Sequence, residues 1–185
     1  MAFTPSNMIP LGTQAPDFEL PDTISGKIMR LEDIRGEKAT LVMFLCNHCP
    51  YVIHVNPEIV RLAKDYQPKG VGFVGISSND AQHYPADAPD KMKVTAAEAG
   101  YTFPYLYDEN QEVAKNYDAA CTPDFYLFDN NLALAYRGRL DDSRPGNQIP
   151  LTGTDLRKAI DAVLTGKPVS ETQYPSGGCN IKWKK

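Results

Sequence analysis

Nowhere in this chain of 185 residues does an apolar run approach the ~20 residues that a membrane-crossing helix needs, so no membrane span is expected. The opening stretch, Met1-Ala2-Phe3-Thr4-Pro5-Ser6-Asn7-Met8, has neither a basic residue nor an apolar block. It does not read as a secretory leader, and the expected compartment is the cytoplasm. An excess of positive charge is missing too. The net charge is -4, whereas nucleic acid is gripped by clustered Lys and Arg, so it is not expected as a partner. The one basic run, Lys182-Trp183-Lys184-Lys185, reads as a solubilising terminus. Cysteine is scarce: Cys46, Cys49, Cys121 and Cys179 are too few to staple a scaffold of this length. There is no internal repeat, no low-complexity block and no long linker. The remaining composition, 42% hydrophobic and 23% charged, suits one globular domain with a full core.

Hydrophobic spacing organises that domain. Residues 17–31 predict a small hairpin turned at Gly26. The unbroken apolar run from Ala39 to Leu45 predicts a strand buried on both faces. From Pro50 to Tyr66, the apolar residues Val52, Val55, Ile59, Leu62, Ala63 and Tyr66 recur at helical spacing, with Pro57 inside and expected to kink the helix. Val71 to Ile76 is a second buried strand, Ser77 to Pro89 a polar loop, and Lys91 to Ala99 a helix ended by Gly100. Phe103 to Tyr107 is a short extended piece and Glu109 to Tyr117 a further helix. Asp124–Phe128 and Leu132–Tyr136 form an antiparallel pair around Asp129-Asn130-Asn131. A last helix is capped at Thr154 and stopped at Gly166. Parallel crossovers followed by an antiparallel hairpin make an α/β domain with a mixed central sheet flanked by helices. It spans residues 1–169, and residues 170–185 form an irregular C-terminal tail that carries Cys179.

Chemistry concentrates at Cys46-Asn47-His48-Cys49. A buried strand ends, two thiols appear, and a helix begins. Unpaired N–H groups at a helix start favour negative charge, so the expected thiolate is Cys46. Cys49, one turn on, is within reach of a disulfide, and a protonated His48 between them would favour the thiolate further. Cys46 would attack a substrate disulfide, and Cys49 would resolve the mixed disulfide. The same four residues can be read as half of a zinc site, or as a metal carrier using Cys46, Cys49 and His48. No second C-x-x-C or H-x-x-x-H follows, so no metal is assigned. Cys121-Thr122-Pro123 opens the next strand, where a proline costs no ladder hydrogen bond.

Taken together, these residues resemble the thioredoxin-like superfamily and, more narrowly, its redoxin branch of peroxiredoxin-like and cytochrome-maturation-type proteins. The matching residues are Ala15-Pro16-Asp17-Phe18-Glu19-Leu20, Cys46-Asn47-His48-Cys49 and Thr122-Pro123. The resemblance covers roughly residues 10–166 and implies a thioredoxin-like fold with an N-terminal hairpin and a redoxin-type insertion over residues 78–107. It implies that Pro123 is cis and that Thr122 offers its backbone to a docked substrate. It also implies a thiol–disulfide oxidoreductase serving cell redox homeostasis. Such an enzyme acts on protein or small-molecule disulfides without a cofactor and is recharged by an electron-donating thiol system. Three positions depart from thioredoxins. Leu45 replaces a Trp, Thr40 replaces a buried Asp, and the helix proline falls at 57. Laid on the peroxiredoxin motif Pro-x-x-x-Thr-x-x-Cys, Cys49 takes the peroxide-reacting place, but Cys46 replaces the Thr and Val42 the Pro. A peroxidase acting on peroxides through Cys49 is therefore the alternative. Cys121 is expected on the face of the redox pair and Cys179 in a tail able to fold back. Either is a candidate additional redox thiol.

Overall fold

The structure is a computed structural model that describes residues 3–185. Met1 and Ala2, which open the stretch read above as leader-free, lie outside the described residues. In chain order the elements are β1 (Phe3–Pro5), β2 (Glu19–Pro21), β3 (Ile28–Arg30), α1 (Leu31–Ile34), β4 (Ala39–Phe44), α2 (Pro50–Tyr66) and β5 (Val71–Ser77). They continue with α3 (Pro89–Ala99), β6 (Tyr105–Tyr107), α4 (Glu112–Asn116), β7 (Cys121–Thr122), β8 (Asp124–Asp129), β9 (Leu134–Gly138), α5 (Thr154–Leu164) and β10 (Gly177–Asn180).

The central sheet has the order β6-β5-β4-β8-β9. β4, β5 and β6 run parallel, and β8 and β9 run antiparallel to their neighbours. β4 lies in the middle, and its apolar run is explained by the two cores it feeds. Leu41 and Met43 pack with Ile59 and Leu62 of α2, Met92 of α3 and Ile160 of α5. Val42 and Phe44 pack on the other face with Leu20 of the hairpin, Leu31 of α1, Ala114 of α4 and Tyr117. Alternate residues of one strand thus serve opposite layers. The carboxyl end of this central strand leads into Cys46 and Cys49. No helix of the described residues is long and apolar enough to cross a membrane.

The expected hairpin forms between β2 and β3, and α2 runs unbroken through Pro57. Other boundaries move for local reasons. The helix expected from Glu109 begins at Glu112, because Gln111 takes φ 64° and the buried Asp108 carboxylate accepts the Val113 and Ala114 N–H groups. The strand expected from Leu132 begins at Leu134, because Leu132 has φ 59° and its N–H closes the turn on Asp129. Thr154 is the first residue of α5 and Gly153, at φ 65°, is its cap.

The largest correction concerns the tail. Instead of an irregular end, residues 177–180 form β10, the middle strand of a second sheet of order β1-β10-β7. Lys182, read as part of a solubilising run, is buried. Its N–H donates to the Asn79 side-chain carbonyl at 2.8 Å, and its own carbonyl accepts from Gln111 at 2.8 Å. The tail is held by groups distant in sequence, so no local pattern announces it.

Candidate active site

The loop between β4 and α2 carries the thiols. Pro50 occupies the first turn of α2, where its missing N–H costs nothing. The cap is therefore Cys49, with extended φ −73° and ψ 123°, and of the first-turn N–H groups that of Val52 favours its thiolate. The thiol loses its proton readily, and its pKa is lowered to about 5. The hydrogen bond from the Cys46 thiol is the main cause, and contacts with Cys179 and the Val52 N–H reinforce it against the opposing effect of burial.

This corrects the expected assignment of the thiolate. Cys46 stands upstream of the helix start and does not cap it. Its proton is held by the hydrogen bond to Cys49, by burial and by the negative Asp87, so its pKa is raised. These shifts favour Cys49, not Cys46, as the thiolate.

Thr122 and Pro123 lie against this pair. The peptide bond between them is cis. Thr122 Oγ1 is 3.2 Å from Cys46 Sγ, and the Thr122 carbonyl oxygen is 3.4 Å from Cys49 Sγ. The third thiol at the site is Cys179, whose Sγ lies 2.6 Å from Cys49 Sγ. Burial, with the contact to Cys49, pushes its pKa up to about 12. The strand register puts Cys179 opposite Thr122, which delivers it to the cis-proline loop.

Cys121 does not join them. Side chains alternate along an extended strand, so with Thr122 turned to the thiols, Cys121 faces away. Its Sγ lies 3.7 Å from the Pro123 carbonyl oxygen, in the neighbourhood of the buried Asp124 and Arg137. Burial and the Asp124 charge hold the thiol protonated well above its ordinary range.

His48 serves a different neighbour from the one expected. Its Nδ1 is 2.8 Å from Asp87 Oδ2, and its ring stacks on Tyr84 at a centroid distance of 6.1 Å. Asp87 is fully buried and also accepts the Asn47 N–H and the Asn79 side-chain amide, each at 2.8 Å. Thr40, at the position of the thioredoxin acid, instead accepts the Gly36 N–H at 3.1 Å. A buried carboxylate thus approaches Cys46 from the loop after β5. Nothing in the polar stretch 77–89 singles it out, whereas Pro50 after Cys49 is a helix-start signal that identifies the capping thiol. As for metal ligands, atoms of Cys46, His48 and Asp87 lie within 4.8 Å of one another, and Cys49 is outside that group. The carrier site of Cys46, Cys49 and His48 is therefore not the one assembled.

A cis-proline loop, a Cys-x-x-Cys turn and a mixed sheet with flanking helices define a thioredoxin-like thiol–disulfide oxidoreductase. The chain belongs to the AhpC/TSA family, which matches residues 11–137. It is 28% identical over 129 residues to the thiol-disulfide oxidoreductase ResA of Geobacillus thermodenitrificans, covering 70% of this chain and 69% of that one. The crystal structure of an uncharacterized conserved protein from Geobacillus kaustophilus is similar along the whole length, with a TM-score of 0.98, 62% identity, and coverage of 100% of this chain and 97% of that one. A hypothetical protein from Sinorhizobium meliloti has a TM-score of 0.95 and 49% identity, with 98% of each chain covered.

Proposed function

We propose that this protein exchanges disulfides through the Cys46–Cys49 pair, with Cys49 as the attacking thiolate and Cys46 as a resolving thiol. The observation that carries this reading is the position of Cys49 as the cap of α2, 3.4 Å from the Thr122 carbonyl beside cis-Pro123. The thiolate attacks one sulfur of a substrate disulfide, forms a mixed disulfide, and expels the other sulfur as a thiolate. Cys46 then attacks Cys49 Sγ, breaks the mixed disulfide and releases reduced substrate. Asp87, whose carboxylate lies within 4.8 Å of the Cys46 sulfur, is the candidate base for its proton. Thr122 and Pro123 form the wall against which substrate docks, and a cellular thiol donor returns the pair to the reduced state.

Reduction of glutathione disulfide under a recycling dithiol tests this. Cys49→Ser should fall to the background rate of free thiol, and a variant that keeps the wild-type rate would refute the assignment. Replacing the disulfide by hydrogen peroxide in the same assay ranks the peroxidase alternative, which also uses Cys49. In the peroxiredoxin motif a Thr hydroxyl occupies the place of Cys46, and a thiol there supports disulfide exchange better than peroxide binding. Peroxide should therefore be consumed more slowly than disulfide, and the opposite order would reverse the two readings.

A further inference from the structure

Cys179 is not used by the reaction just described, yet its sulfur is 2.6 Å from the sulfur of Cys49. We propose that Cys179 is a second resolving thiol, which can release substrate from Cys49 and leave a Cys49–Cys179 disulfide. The inference rests on the reading of Cys49 as the attacking thiolate.

The placement of Cys179 is built by several independent contacts. β10 pairs with β1 on one side and with β7 on the other. Just before it, Ser176 donates its hydroxyl to the Pro123 carbonyl at 2.6 Å. Just after it, the Ile181 N–H donates to the Ala120 carbonyl at 3.1 Å. Gly178 is required for the approach, because a Cβ there would stand 2.1 Å from the Thr122 carbonyl oxygen. A strand with a side chain at that position could not lie so close to the cis-proline loop. The result is that Cys49 has both Cys46 and Cys179 as thiol neighbours.

The chemistry balances without an added reagent. Cys49 and the substrate form a mixed disulfide, as above. The Cys179 thiol gives up its proton and attacks Cys49 Sγ. The Cys49–substrate bond breaks, and the substrate sulfur leaves as a thiolate and takes a proton. Two cysteine thiols have been oxidised to one disulfide, and one substrate disulfide has been reduced to two thiols. Cys46 stays reduced. Attack by Cys46 on Cys49 Sγ then moves the bond to Cys46–Cys49 and frees Cys179, so the oxidised state is shared between two positions.

Disulfide mapping tests this on the full chain. Wild type and variants are treated with glutathione disulfide, quenched in acid, alkylated, and mapped by peptide mass spectrometry. Wild type should yield a Cys49–Cys179 peptide beside Cys46–Cys49. Cys46→Ser should lose two of its three remaining thiols to Cys49–Cys179. A wild-type map that holds Cys46–Cys49 and no Cys49–Cys179 peptide would overturn the proposal, even if the variant does not fold. So would a folded Cys46→Ser protein with all its thiols free. Cys179→Ser answers the separate question: absence of a Cys46–Cys49 bond in it counts against the pair in the proposed function and leaves the Cys179 bond standing.

Discussion

Pro50 decides which of the two thiols the helix serves. Its ring fixes φ near the helical value and it has no N–H to satisfy, so it sits comfortably at the first helical position. The residue before it becomes the cap, at the helix end where unpaired N–H groups favour negative charge. That residue is Cys49. Because the Cys46 thiol donates to it and the Val52 N–H adds to the effect, a thiolate titration by ultraviolet absorbance should show a step centred near pH 5 in the reduced protein, and Cys49→Ser should lack it. A wild-type protein whose first step falls at the ordinary thiol value of ~8.5 would contradict the assignment. The sign for stability follows from the same shift. The folded pKa lies below the unfolded one, so the thiolate contributes stability above the unfolded value, and this is lost as pH falls through about 5.

At the scale of elements, the site is made where a strongly patterned segment meets weakly patterned ones. β4 and α2 are legible from sequence because burial on both faces and a one-sided apolar stripe each leave a periodicity. The Thr122–Pro123 wall is legible because proline restricts where a strand can start. β10 is not legible, since Gly177-Gly178-Cys179 has neither strand propensity nor alternation and is held by β1, β7 and the cis-proline loop. Asp87 is hidden for a similar reason: its partners Asn47, His48 and Asn79 come from two separate loops. The contribution of β10 can be tested at its closest approach. Gly178→Ala forces the added methyl against the Thr122 carbonyl, so β10 must lift. The expected cost is about 1–3 kcal/mol in denaturant unfolding, with loss of the Cys49–Cys179 bond on oxidation and retention of Cys46–Cys49. A Gly178→Ala protein of wild-type stability that still forms Cys49–Cys179 would show that this close packing is not needed.

Over the whole molecule, the two disulfides open to Cys49 differ most in the loop they close. Cys46 and Cys49 are one turn apart, whereas Cys49 and Cys179 are separated by 130 positions. Because a cross-link restricts the unfolded chain in proportion to the logarithm of the loop it closes, the short bond is expected to stabilise by about 2 kcal/mol and the long one by about 5 kcal/mol. Oxidised and reduced forms can be compared by guanidinium unfolding in Cys179→Ser, which keeps the short bond, and in Cys46→Ser, which keeps the long one. The gain on oxidation should be about 3 kcal/mol larger in Cys46→Ser. Equal gains would mean that the long bond is strained in the folded state or does not form. A larger gain in Cys46→Ser would make the C-terminal strand a redox-dependent clasp, since the bond that resolves substrate would also fasten the last segment of the chain to the first turn of α2.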